Sequence, residues 1–183
     1  MNFNQNKFDA LVLYICNQCS ECRDQLGKTK LNKVLWNSDK YYYAMTGKSI
    51  TGETYIKRQF GPVSKRIESA LQRLKESGKL HIGKMEFFGN EKYEYIPLVP
   101  PEQRLFSEDE LDVVNAVIRR ICFESTASQA SEESHTQAWE IATIGEEIPL
   151  YTVFMEEPGE LDEQDIEWAF EKLGLIGGAV ANA

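Results

Sequence analysis

The sequence predicts a mainly α chain with a small β-hairpin: an α+β fold in which a compact helical domain carries a winged-helix-like helix–hairpin element. Three observations predict it. Apolar residues recur at alternating three- and four-residue steps through several segments, the period of a helix with one buried face. Residues 79–98 instead carry alternating or β-prone side chains on either side of Gly89-Asn90-Glu91. Glycine and proline stand between these segments, at Gly27, Gly47, Gly61-Pro62 and Gly78.

The first helix is expected over Gln5–Gln25, on the stripe Phe8, Leu11, Val12, Ile15, Cys19, Cys22 and Leu26, with Gly27 breaking it. The second begins at Lys28 or Thr29. Leu31, Val34, Leu35, Ser38, Tyr42 and Met45 form its buried face, and Gly47 occupies the left-handed position that ends a helix. Tyr41, Tyr42 and Tyr43 are consecutive, so they cannot share one face. Thr51-Gly52-Glu53 reads as a turn and Thr54-Tyr55-Ile56 as a short strand. Gly61-Pro62 is expected to open the third helix, because a helix's first turn does not need the N–H that proline lacks. Its inner stripe is Val63, Ile67, Ala70, Leu71 and Leu74, and Ser77-Gly78 closes it.

After the hairpin, Ser107-Glu108-Asp109-Glu110 is a capping box: serine at the N-cap, glutamate three residues on. It starts a helix with Leu111, Val114, Ile118, Ile121 and Cys122 inward. Residues 125–137 read as a polar loop or short helix, Thr136–Ala142 as a helical turn, and Ile148-Pro149-Leu150 as extended chain. Asp162 is expected to cap a last helix through Lys172. A single domain is therefore expected over residues 1–173, with 174–183 a flexible tail.

At 183 residues, 42% hydrophobic and 27% charged, the composition is ordinary for one globular domain. No apolar run reaches the roughly 20 residues of a membrane span, and the polar N-terminus has no signal-peptide pattern, so a cytoplasmic protein is expected. Charge is unevenly spread. Residues 26–99 carry a net +7 and residues 100–183 a net −15, within a total of −9. Cys16, Cys19 and Cys22 stand at three-residue spacing, which suggests metal, but the helical stripe claims Cys19 and Cys22 as small hydrophobes. Zinc would also need a fourth ligand.

Catalytic motifs are missing. There is no phosphate-binding loop and no Gly-x-Ser-x-Gly elbow, and only His81 and His135 could serve a histidine-based centre. We therefore expect no enzyme, no metal and no cofactor. Residues 62–98, a basic helix followed by a hairpin, leave a winged-helix DNA-binding regulator as the alternative reading. A pI near 4.9 argues against nucleic acid, whose binding relies on neutralising phosphates.

From residue 30 the sequence becomes specific. Lys30-Leu31-Asn32-Lys33-Val34-Leu35-Trp36, then Gly47-Lys48-Ser49-Ile50-Thr51-Gly52-Glu53-Thr54-Tyr55, then Phe60-Gly61-Pro62-Val63 resemble the Panacea domain of SocA-like antitoxins. Ser134-His135 with Trp139, followed by Ile148-Pro149, resembles that family's later Thr-His and Trp element. The resemblance runs from about residue 28 to 150. It departs at Ser49, Ser134 and Ala138, where the family often has Pro, Thr and Pro. It implies an antitoxin of a toxin–antitoxin system that neutralises a cognate protein toxin by direct contact; other relatives occur in prophages with no established role, which leaves a phage-associated interaction protein as a further alternative. A Clp-type protease, to which the toxin is handed, and a homodimer are further candidate partners.

Structural roles are expected for the motif residues Lys30, Leu31, Lys33, Gly47, Gly52, Gly61, Pro62, Val63, His135 and Trp139. Lys33 is expected to run its stem along the helix and keep its charge in water. His135 is expected to cap or bond backbone near the Gly61 turn, with Trp139 covering it. Trp36, Tyr41, Tyr43 and Tyr55 are the candidate partner-binding aromatics, since aromatic anchors dominate binding energy. The acidic residues Glu163, Asp165, Glu167 and Glu171 are read chiefly as a solvated face.

Overall fold

The computed structural model describes residues 2–155 apart from Phe88. Two central helices organise it: α1, Gln5–Gln18, and α2, Lys28–Thr46. Asn4 caps α1 by accepting the Lys7 N–H at 3.0 Å. Both helices are covered on nearly every side. Residues 10–16 of α1 and 30–40 of α2 are continuously buried, the mark of helices at the centre of a core rather than on its surface. The charged residues Lys30, Lys33, Asp39 and Lys40 are therefore inside.

Around this pair pack α3 (Ile67–Glu76) and α4 (Glu108–Ile118), and two antiparallel sheets. The three-stranded sheet has the order β2-β1-β5, with β1 Tyr55–Arg58, β2 Gly61–Ser64 and β5 Glu147–Ile148. The other is the hairpin β3 (Leu80–Phe87) and β4 (Asn90–Pro97), registered from Leu80 opposite Pro97 to Phe87 opposite Asn90. The expected mainly helical fold, with helix followed by hairpin, is present.

Several expectations need correction. Helix α1 ends at Gln18, not Gln25: Cys19 closes it and the chain passes through a 3-10 turn, Arg23–Gln25. Cys19 is buried as expected but Cys22 is exposed, and Leu26 reaches the core from extended backbone. Helical spacing over residues 19–26 was thus met without a helix. In α2, Met45 is 62% exposed because the last turn runs beyond the core, while Gly47 ends the helix at φ 69° as expected.

Gly61-Pro62 does not open a helix; it opens strand β2. Pro62 lies opposite Lys57 on the edge strand of its sheet, where a missing N–H costs no ladder bond. Helix α3 starts only at Ile67. The hairpin turn is tighter than expected, since Asn90 already pairs with Phe87.

The Ser107 capping box is present in both directions, at 3.0 and 3.2 Å. Helix α4 passes into a π-helical turn, Arg119–Glu124, that buries Ile121 and Cys122. Two short helices follow, α5 (Ala127–Glu132) and α6 (Gln137–Ile141), capped by Thr126 and Thr136. Leu150, expected in extended chain, instead begins a 3-10 segment, Leu150–Met155. The helix expected from Asp162 to Lys172 and the tail 174–183 lie outside the described residues.

Candidate functional site

The motif residues converge on the tip of the β1–β2 hairpin. Lys33 leaves α2 on the side facing β2 and donates its amine to the carbonyl of Phe60. The Ser131 hydroxyl, arriving from α5, donates to the same oxygen at 2.9 Å. Directly behind them Gly61 adopts φ 100°. A Cβ there would overlap both the Lys33 amine and the Ser134 hydroxyl, so only glycine fits, for its space as much as for its backbone angle.

Lys33 does not keep its charge in water, as the sequence reading expected; it is only 1% exposed. Burial lowers its pKa from the ordinary 10.5 to about 7. Among the described residues it forms no ion pair. A carbonyl satisfies one N–H of an amine but does little to hold a positive charge, so the neutral amine is the form that suits this pocket.

His135 and Trp139 complete the corner. Their rings stack, with centroids 3.7 Å apart and planes 4° from parallel. The stack forms although His135 precedes the N-cap of α6, so it is not a pairing on one helical face. Trp139 donates its indole N–H to the Arg58 carbonyl at 3.1 Å, and the Lys57 amine lies 4.2 Å from its ring centroid. Lys57 also donates to the carbonyls of Glu140 and Ala142, which ties the α6–β5 loop to β1. The expected His135 bond to the corner is not made: among the described residues its buried Nε2 has no partner. Burial, and then the neighbouring Lys33 amine, lower the pKa of His135, which favours the neutral ring. Trp139 and Lys33, rather than His135, hold the backbone here.

A second polar cluster lies on the same helix. Asp39, fully buried, accepts hydrogen bonds from the Ser49 hydroxyl at 2.8 Å, the Ile50 N–H at 2.7 Å and the Tyr55 hydroxyl at 2.7 Å. Ser49 in turn accepts the Gly52 N–H at 2.8 Å, so the whole Gly47–Gly52 turn is fastened to α2. Burial raises the Asp39 pKa while these donors pull it down. Helical periodicity did not single out Asp39. The available signal was a carboxylate four residues after Leu35, on a stripe otherwise read as apolar.

The aromatic candidates divide. Trp36, 1% exposed, and Tyr55 are buried edge to face, with centroids 5.1 Å apart, so neither is an exposed anchor. The all-round burial of α2 removes the solvent side on which Trp36 was expected. Tyr41 and Tyr43 are half-buried; Tyr41 accepts a hydrogen bond from Arg120, and Tyr43 lies 6.1 Å from Phe154. Lys30 donates to the Cys122 carbonyl at 2.9 Å, Leu31 is in the core, and Val63 packs beside it. Phe60 stands in solvent at the hairpin tip, 62% exposed; Tyr93, Phe123, Tyr151 and Phe154 are exposed aromatics elsewhere, and Ile141 and Ile144 are exposed on the segment that Lys57 holds.

What these features define is a helical scaffold that holds an apolar hairpin tip in place from beneath. Comparison with known proteins identifies its kind. Residues 31–140 match the model of the antitoxin SocA-like Panacea domain, and the chain belongs to that family. The matched stretch contains Lys33, Phe60, Gly61, Pro62, Ser134, His135 and Trp139, the residues of the corner. No curated protein and no solved structure gives a match. The family carries an antitoxin-type role and, with it, a protein toxin as partner. Among the described residues, no group of three or more His, Cys, Asp or Glu side chains could hold a metal ion, and no helix is long and apolar enough to cross a membrane.

Proposed function

We propose that the chain neutralises a cognate protein toxin in the cytoplasm by direct, non-catalytic contact, and that the β1–β2 tip belongs to the contact surface. The observation that carries this reading is Phe60: a large apolar side chain left in solvent on backbone that Lys33, Ser131 and Trp139 hold from three separate elements. A fixed aromatic loses little conformational freedom on binding, which is what makes such residues effective anchors. Ile141 and Ile144 are further exposed apolar side chains, on the segment that Lys57 holds. Family membership supplies the class of partner.

Co-expression with the polypeptide encoded beside this chain tests the reading. Relief of growth arrest together with a co-purifying complex is the expected result. Growth arrest that persists with both chains soluble and unassociated contradicts it. Handing the toxin to a Clp-type protease is a stronger form of the same proposal. It predicts that the toxin's half-life shortens in the presence of this chain, and only while that protease is active.

A further inference from the structure

Beside the tip runs a groove of about 530 Å³ between the start of α2 and the β1–β2 hairpin. Ile56, Val63 and Ile67 are among its apolar lining residues, and Phe60 stands in it. Four basic side chains also line it, Lys28, Lys33, Arg58 and Lys65, against one carboxylate, Glu68. The bias extends beyond the groove. Residues 26–66 carry nine Lys and Arg against two Asp and Glu, in a chain whose net charge is −9.

The state of these cations shows how the groove is charged. Lys28 is paired with Glu68 at 2.6 Å and Lys65 with Glu147 at 3.0 Å, both with exposed side chains. Exposed pairs of this kind are worth little and exchange partners readily. Lys33 is committed to the Phe60 carbonyl. Arg58 is exposed and, among the described residues, its guanidinium has no ion-pair or hydrogen-bond partner, although its carbonyl is held by Trp139. Its charge is thus presented from fixed backbone beside an exposed phenyl ring.

We infer that this groove receives a short segment of the toxin that carries carboxylates next to apolar side chains, with Arg58 taking a carboxylate and Phe60 an apolar side chain. The inference rests on the toxin-binding reading and adds the chemistry of the bound segment. A guanidinium offers a planar fork that matches a carboxylate, and a partly apolar floor strengthens the pairing by excluding water. Nucleic acid suits the groove less well. Two of its four cations already face carboxylates and a third is buried, leaving too few open charges for a phosphate backbone.

The test uses the full chain and a fluorescein-labelled synthetic peptide of alternating Glu and Leu, with a Lys-and-Leu peptide and a single-stranded DNA oligonucleotide as comparison probes. The acidic peptide is expected to bind, to weaken as salt rises, and to bind at least about ten-fold more weakly to Arg58→Glu, with Arg58→Gln intermediate. Both substitutions change an exposed side chain and leave the carbonyl that Trp139 holds. A circular dichroism melt identical to the parent's keeps any loss attributable to the groove. No binding of the acidic peptide, equal binding of the basic one, tighter binding of the oligonucleotide, or self-association of the chain abolished by Arg58→Glu overturns the inference. The two readings fail separately. Toxin rescue without peptide binding removes the groove's assignment alone, whereas peptide binding without rescue removes the antitoxin assignment.

Discussion

Two buried charges on α2, six residues apart, are handled in opposite ways. Asp39 meets donors from Ser49, Ile50 and Tyr55, and so fastens the following turn and strand β1 to the helix. Lys33 meets a carbonyl and, among the described residues, no carboxylate, and its pKa falls to about 7. The first is a complete polar cluster, of the sort that fixes one arrangement of the chain. The second is tolerated because an amine can shed its proton; at Asp39 burial raises the pKa and the surrounding donors only partly offset it. The contrast teaches that a charged family motif can be structural at one position and dependent on protonation at another. Both lie in the interior of the scaffold.

The largest effect is expected at Asp39. Asp39→Ala leaves the Ser49 hydroxyl and the Ile50 N–H without their acceptor in a dry site, while the Tyr55 hydroxyl keeps only the Leu35 carbonyl. Unfolding free energy should fall by about 4 kcal/mol, read from urea melts. A loss under about 1 kcal/mol would mean that the cluster is not what holds the turn. Next comes Gly61→Ala, which sets a Cβ against the Lys33 amine and the Ser134 hydroxyl at φ 100°. A loss of about 2–3 kcal/mol is expected. If the overlap is the cause rather than the backbone angle, pairing it with Lys33→Ala restores part of that loss, as a double-mutant cycle will show. The smallest is Trp139→Phe, which keeps a ring against His135 but removes the N–H to the Arg58 carbonyl. About 1 kcal/mol is expected, together with faster amide exchange at the hairpin tip.

Much of the frame was legible in the sequence. Gly47 announces the end of α2, Ser107 and Glu110 announce the start of α4, and Gly89 marks the β3–β4 hairpin. These signals are local, since each is satisfied by atoms within a few residues. The motif order also joins the Gly61 turn to the His135–Trp139 pair, but it leaves the Lys33 charge in water, where the structure buries it.

What the sequence hid follows from burial on all sides. A helix covered on every face has no polar side for a period to reveal, so Lys33, Asp39 and Trp36 read as surface residues or escaped notice. Gly61-Pro62 misled for another reason. The same dipeptide suits the first turn of a helix and the start of an edge strand, and only β1 and β5 beside it decide between them. His135 and Trp139 do meet, but through stacking across a helix start, which the four-residue spacing does not describe.

The most direct test of this account is the pH dependence of stability in the parent chain and in Lys33→Met. Below about pH 7 the amine carries its proton in both the folded and unfolded chain, so it adds no slope. Between about 7 and 10.5 the unfolded chain binds that proton and the folded chain does not, so the folded state gains stability as pH rises. The difference in unfolding free energy between the two proteins should therefore grow with pH across that window, approaching about 1.4 kcal/mol per pH unit, and be flat below it. A difference that stays constant from pH 6 to 10 would show that Lys33 keeps its charge when folded, and would contradict the buried-amine corner.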